Sequence, residues 1–168
     1  MRTRRHTTAL EDQRIPVQAK LAAAWTSLMF FVIYIDYFHL YQPGAIDQIR
    51  GGGIIEFAIT PTLLTLFVVV IGIPALMVVL SMTLPAGVNR AANLVVAALY
   101  IPVMVFNAAG TSWDWAFYYG LHIGIEVLLL AFILRSAWNW PRRVASPTAT
   151  VATVASVYEQ PLQTQHHA

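Results

Sequence analysis

Four apolar runs, near residues 21–41, 59–82, 91–109 and 116–140, decide what this chain can become. Each approaches the roughly 20 residues that a helix rising 1.5 Å per residue needs to cross about 30 Å of hydrocarbon. Four such segments cannot be hidden in the core of one small soluble domain. The chain is therefore read as an all-α, four-helix transmembrane bundle occupying residues 21–142. It is flanked by a basic tail over 1–20 and a low-complexity tail over 143–168, both expected to be disordered and cytoplasmic. The composition follows from that reading: only 11% of the residues are charged, against about 25% in an ordinary soluble domain.

Orientation comes from the basic residues. Arg2, Arg4, Arg5, Arg14 and Lys20 precede the first run, Arg90 lies in the connection between runs two and three, and Arg135, Arg142 and Arg143 close the last. The opposite side holds only Arg50, so the positive-inside rule predicts that both termini are cytoplasmic. Trp113 and Trp115 on one side of the fourth run, and Trp138 and Trp140 on the other, sit where interfacial aromatic belts are expected. The first run is too long and starts too late for a cleaved signal peptide, and no A-x-A site follows it. A sequence pI near 9.2 thus reflects topology, and no nucleic-acid partner is expected.

The chain has no cysteine, which excludes disulfides, thiolate metal sites and cysteine nucleophiles. In the first connection, Pro43-Gly44 breaks the helix, and Asp47 and Arg50 at i,i+3 predict a short surface helix. Gly51-Gly52-Gly53 lacks the Lys-Ser/Thr of a phosphate loop and is read as a turn. Pro74 and Pro102 fall inside spans two and three, where a neighbour must re-satisfy the carbonyl each one frees. Ala91, Ala92, Ala97 and Ala98 offer small surfaces for close helix approach on span three.

Ionisable residues inside the spans are the candidate site, because such groups are expensive in lipid and normally face protein or water. The stretch YIDYFHLY puts Asp36 and His39 at i,i+3 near the end of span one, and span four carries His122 and Glu126 at i,i+4. Each pair shares a helical face. His122 lies about 9 Å below the start of its span and Glu126 about 6 Å further, so both helices present their polar groups to one outward-facing cavity. Tyr34, Tyr37, Tyr118 and Tyr119 are available to line it.

Three readings stay open for this group. In the first it only ties the bundle together, with Glu126 bonded to Asn93, Asn107 or a tyrosine. In the second, Glu126 and His122 bind a ligand, cation or proton, since removing a carboxyl from water favours its neutral form. In the third the Asp/His/Glu set serves a membrane-embedded lipid-modifying enzyme as metal ligands or acid and base. His122 and Glu126 supply two metal ligands at most, so no metal site or cofactor is assigned. Asn93, Asn107 and Arg90 are expected to be structural, with Asn89 capping span three and Arg90 meeting anionic headgroups.

The blocks DYFHLYQPGAIDQI, GIPALMVVLSMTL, NRAANLVV and IEVLLLAFILRSAWNWP occur in that order. They resemble a bacterial family of small four-span membrane proteins known only as a domain of unknown function. The resemblance runs over residues 21–142 and includes Asp36, Pro43, Gly44, Pro74, Asn89, Arg90, Asn93, Glu126 and Trp140, while His39 and His122 lie outside its pattern. It implies one four-helix domain in a bacterial cytoplasmic membrane, and no activity or cofactor. The expected protein is a non-enzymatic membrane component with an intramembrane polar cluster, in contact with the bilayer and with itself or a larger complex.

Overall fold

The computed structural model describes residues 14–54, 57–106 and 113–141. Residues 1–13 of the basic tail, Asn107, Arg142 and the whole low-complexity tail from Arg143 therefore lie outside the described residues. Four long helices correspond to the four apolar runs: α1 (Val17–His39), α3 (Pro61–Thr83), α4 (Ala86–Phe106) and α5 (Ala116–Trp138). All four are long and apolar enough to cross a membrane. Between α1 and α3 lie the short helix α2 (Ala45–Arg50) and a two-residue hairpin, β1 (Gly53–Ile54) and β2 (Phe57–Ala58).

Local chemistry sets the boundaries. Pro16, extended at ψ 147°, precedes α1, which then begins at Val17 and takes in Lys20 from the stretch read as tail. A polar first turn costs nothing where it can project beyond the hydrocarbon. Thr60 caps α3, its Oγ1 accepting from the Leu63 N–H at 3.1 Å, and Pro61 occupies the first helical position where its missing donor is harmless. Leu84 ends α3 with ψ 147°, as the residue before Pro85 prefers. The chain turns there directly into α4, so these helices form an antiparallel hairpin. Gly44, at φ +83°, starts α2, and Gly52, at φ +81°, turns the chain into a hairpin that pairs Gly53 with Ala58 and Ile54 with Phe57. The short surface helix is thus present, and the glycine turn opens a small sheet that the sequence reading did not include.

The helices alternate in direction. α1 packs on both α3 and α5, α4 packs chiefly on α5, and α3 meets α4 only sparingly. The buried stripes show where the bundle is tight. On α1 only Leu21, Ala24, Trp25 and Leu28 are buried, all in its first half. On α3 only Pro74, Met77 and Ser81 are, in its second half. α4 buries Asn89, Asn93, Ala97, Tyr100 and Met104, and α5 buries His122, Glu126, Leu130, Ile133 and Ala137. The start of α1, the end of α3, the start of α4 and the end of α5 therefore form a closed end. At the other end the first half of α3 stands away from the core, with Leu64, Leu66, Val68 and Val69 exposed.

Apolar side chains gain little by leaving lipid for each other, so hydrogen bonds carry much of the specificity of such a bundle. At the closed end one network joins three helices. The Trp25 indole N–H donates to Asn93 Oδ1 at 2.7 Å, and Ser81 Oγ donates to the same oxygen at 3.3 Å. Asn93 Nδ2 donates to the backbone carbonyl of Asn89 at 2.9 Å and to its Oδ1 at 2.7 Å. Asn89 Nδ2 in turn donates to the Ser81 carbonyl at 2.6 Å. All four side chains are fully buried.

Two sequence assignments change here. Asn89 is no cap, because α4 starts at Ala86 and the buried amide bonds back to the end of α3. Arg90 turns to protein rather than only to headgroups: its Nε donates to the Ala137 carbonyl at 3.2 Å, and its guanidinium sits 5.7 Å from the Trp138 ring centroid. Of the four alanines expected to allow close helix approach on α4, Ala97 is buried and Ala92 packs on the core, whereas Ala91 and Ala98 are exposed.

Pro74 also finds its compensation. Its missing N–H leaves the Val70 carbonyl without a helical partner. The Tyr100 hydroxyl, on α4, donates to that carbonyl, while the Tyr100 ring meets Trp25 edge-on at 6.2 Å.

Two outcomes follow for the folded protein in detergent. Asn93→Leu strands the Trp25 indole and an Asn89 oxygen, and at about 1–3 kcal/mol for each stranded buried group it is expected to lower stability by roughly 2 kcal/mol or more. Ser81→Ala, which removes only a long bond, is expected to cost much less; thermal unfolding followed by circular dichroism ranks the two. Tyr100→Phe uncovers the Val70 carbonyl and should cost about 0.6–2 kcal/mol, the span measured for hydrogen bonds between membrane helices.

Candidate functional site

The looser end of the bundle holds the ionisable residues. α5 enters it from a 3₁₀ turn, Trp113–Trp115, and brings Tyr118, Tyr119, His122 and Glu126 onto the side facing α1. The Tyr118 hydroxyl donates to the Ile35 carbonyl at 3.2 Å, which pins the start of α5 to the last turns of α1. The Tyr119 hydroxyl lies 3.4 Å from His39 Nδ1 and 3.5 Å from the Gln42 amide nitrogen. His39, the last residue of α1, is thus engaged by α5 and is only half-exposed.

Beneath these contacts, His122 and Glu126 are buried, at 3% and 1% exposure, one turn apart on one face. The rings of Tyr118 and Tyr119 close over His122, with centroids 5.3 and 5.2 Å from the imidazole. His122 Nδ1 is buried with no hydrogen-bond partner among the described residues. Glu126 Oε2, midway along α5, is buried with no partner among the described residues. Below Glu126 the same stripe continues as Leu130, Ile133 and Ala137, all fully buried and packed with Leu21, Trp25 and Leu28. The polar pair therefore ends against an apolar plug.

Asp36 occupies a different position, exposed on α1 one turn before His39. It hydrogen-bonds to neither histidine among the described residues. Among those residues no three His, Asp or Glu side chains are grouped closely enough to hold a metal ion. The four candidates thus divide into a buried pair, His122 and Glu126, and two flanking groups, Asp36 and His39. Asn93, one of the partners considered for Glu126, is committed to Trp25, Ser81 and Asn89 instead. Tyr34 and Tyr37 face outward, while Tyr118 and Tyr119 form the cover of the site.

A charge gradient surrounds this geometry. Residues 14–35, 57–106 and 127–141 contain no Asp or Glu, whereas Asp36, Asp47, Asp114 and Glu126 all belong to the looser end or point toward it. There Arg50 is the only arginine or lysine among the described residues. A buried acceptor oxygen one turn from an imidazole packed by two tyrosine rings, with acidic groups at the same end, suits a small cation or an N–H donor.

Residues 11–144 match a family described as a family of unknown function, DUF6326. No curated protein and no solved structure matches the chain.

The unpartnered oxygen has a direct consequence for stability. A residue kept to hold the bundle together loses stability when made apolar; Glu126→Leu is expected to do the reverse. Removing a buried polar group that has no partner should raise stability by about 1–3 kcal/mol, measured as a higher thermal midpoint than wild type in the same detergent.

Proposed function

The chain belongs to the family of unknown function DUF6326, and from that premise we propose that this small multi-pass membrane protein binds a small cation in a one-sided pocket built on α5. The observation that carries the reading is Glu126 Oε2, buried with no partner among the described residues, one turn below a His122 covered by the rings of Tyr118 and Tyr119. Intramembrane carboxyls are costly and mark binding sites or proton paths more often than they serve as inert packing.

Each group has a role in this reading. Glu126 accepts a hydrogen bond from the bound cation and balances its charge. The Tyr118 and Tyr119 rings present faces to a cation on its way in. Asp36, Asp47 and Asp114 bias the entrance electrostatically, and His39 with Tyr119 holds the cover in place. The apolar layer of Leu130, Ile133, Trp25 and Leu28 supports a blind pocket rather than a path through the bilayer. The basic closed end is assigned to the cytoplasm by the positive-inside rule, so the pocket opens to the outer side of a bacterial cytoplasmic membrane. No covalent chemistry is required of any residue.

The full chain in native membranes provides the test. A hydrophobic carbodiimide is expected to modify Glu126, as detected by peptide mass spectrometry, and methylammonium is expected to slow that modification. Glu126→Gln should remain folded and carry no label at position 126. Modification at the same rate with and without methylammonium overturns the cation reading, as does a Glu126 that never reacts.

A further inference from the structure

The closed end holds a second polar feature that the α5 pocket does not use. Residues of α4 and α5, with Asn139 just beyond α5, flank a shallow, open groove lined by Leu94, Leu134, Arg135, Trp138 and Asn139. The spacing explains its shape. Arg90 and Leu94 lie at i,i+4 on one face of α4, and Leu134 and Trp138 lie at i,i+4 on one face of α5. Each helix thus brings a leucine toward the membrane interior and a cationic or aromatic group toward the membrane surface.

The charges here have no acidic counterpart. Arg135 is exposed, and no Asp or Glu occurs anywhere at this end of the described residues. Arg90 donates its Nε–H to the Ala137 carbonyl and lies against the ring of Trp138, itself a lining residue, which places its guanidinium next to the groove rather than in its lining; among the described residues its terminal nitrogens make no hydrogen bond. Arginine presents a planar fork that matches a phosphate. An apolar trough beneath two such forks, with an exposed indole and an amide at its rim, has the layout of an acyl chain topped by a phosphate.

We propose that this groove is a binding site for an anionic phospholipid. One acyl chain lies between Leu94 and Leu134, and the phosphate is held by Arg135 and Arg90, with Asn139 hydrogen-bonding at the headgroup. The site is independent of the α5 pocket, which lies at the other end of the bundle and carries the opposite charge.

Native mass spectrometry of the full-length protein, delipidated in mild detergent and given equal dioleoylphosphatidylglycerol and dioleoylphosphatidylcholine, tests it. Wild type is expected to retain the phosphatidylglycerol in excess, because the choline ammonium offsets the phosphate charge, and Arg135→Gln to lower that adduct about fivefold, as expected for one basic residue at a membrane surface, and the choline adduct by less. Leu94→Trp, which fills the trough without touching a charge, is expected to lower both adducts; a thermal midpoint like that of wild type shows that each variant is folded. Equal retention of the two lipids by wild type overturns the proposal, and so does an Arg135→Gln adduct at the wild-type level. Displacement of the phosphatidylglycerol by millimolar inorganic phosphate overturns it too, since the groove would then take a free anion without the chain.

Discussion

Lipid satisfies leucine as well as another leucine does, so the placement of these helices rests on the groups that lipid cannot satisfy. Asn93 is the chief of these. Its carbonyl oxygen receives one donor from α1 and one from α3, and its amide holds Asn89, which bonds in turn to the end of α3. Rotating any one of the three helices would break a bond with no water nearby to replace it. Arg90, one turn away on α4, adds α5 by meeting one of the carbonyls left open at that helix's end. The close packing of Leu21, Leu28, Leu130 and Ile133 is then a result of this positioning, and it makes the closed end dry.

The looser end follows from the same constraint. Away from the network the helices are joined by few polar contacts, chiefly Tyr118 to the Ile35 carbonyl and Tyr119 to His39 and Gln42. That arrangement leaves room for polar atoms that the protein does not itself satisfy. The bundle thus separates two tasks along its axis, with structural polar groups fully paired at one end and Glu126 buried but open at the other.

The spans were legible because the bilayer imposes length and polarity on every one of them. The short helix α2 was legible from Asp47 and Arg50, and the His122–Glu126 pair from its i,i+4 spacing. Partners were harder. Trp25 looks like part of an apolar run, and nothing in LAAAWTSL reveals that its N–H needs an acceptor on α4. The sequence implied that some neighbour would cover the carbonyl freed by Pro74; that Tyr100 does so depends on how α3 and α4 rotate against each other, which spacing within one helix cannot supply. Asn89 was misread as a cap because α4 starts three residues earlier, after Pro85, and carries it into the core. The β1–β2 hairpin is too short to show a period-two pattern, leaving only the glycines as a signal.

The two contacts that hold α3 have a geometric relation of their own. Val70 and Ser81 are eleven residues apart, about three turns, and so lie along one line of the helix. Pro74 and Met77 fall on that same line, and most of the remaining circumference is exposed aliphatic surface. The azimuth of α3 is therefore set by polar atoms at two points, like a door hung on two hinges. Met77, Val78 and Leu80 pack that edge against the core, and the outward-facing apolar residues set how deeply the helix sits in the membrane. Exchanges among Leu, Ile and Val around the outer circumference leave both points in place, so this span can vary widely in sequence while presenting the same edge to its neighbours.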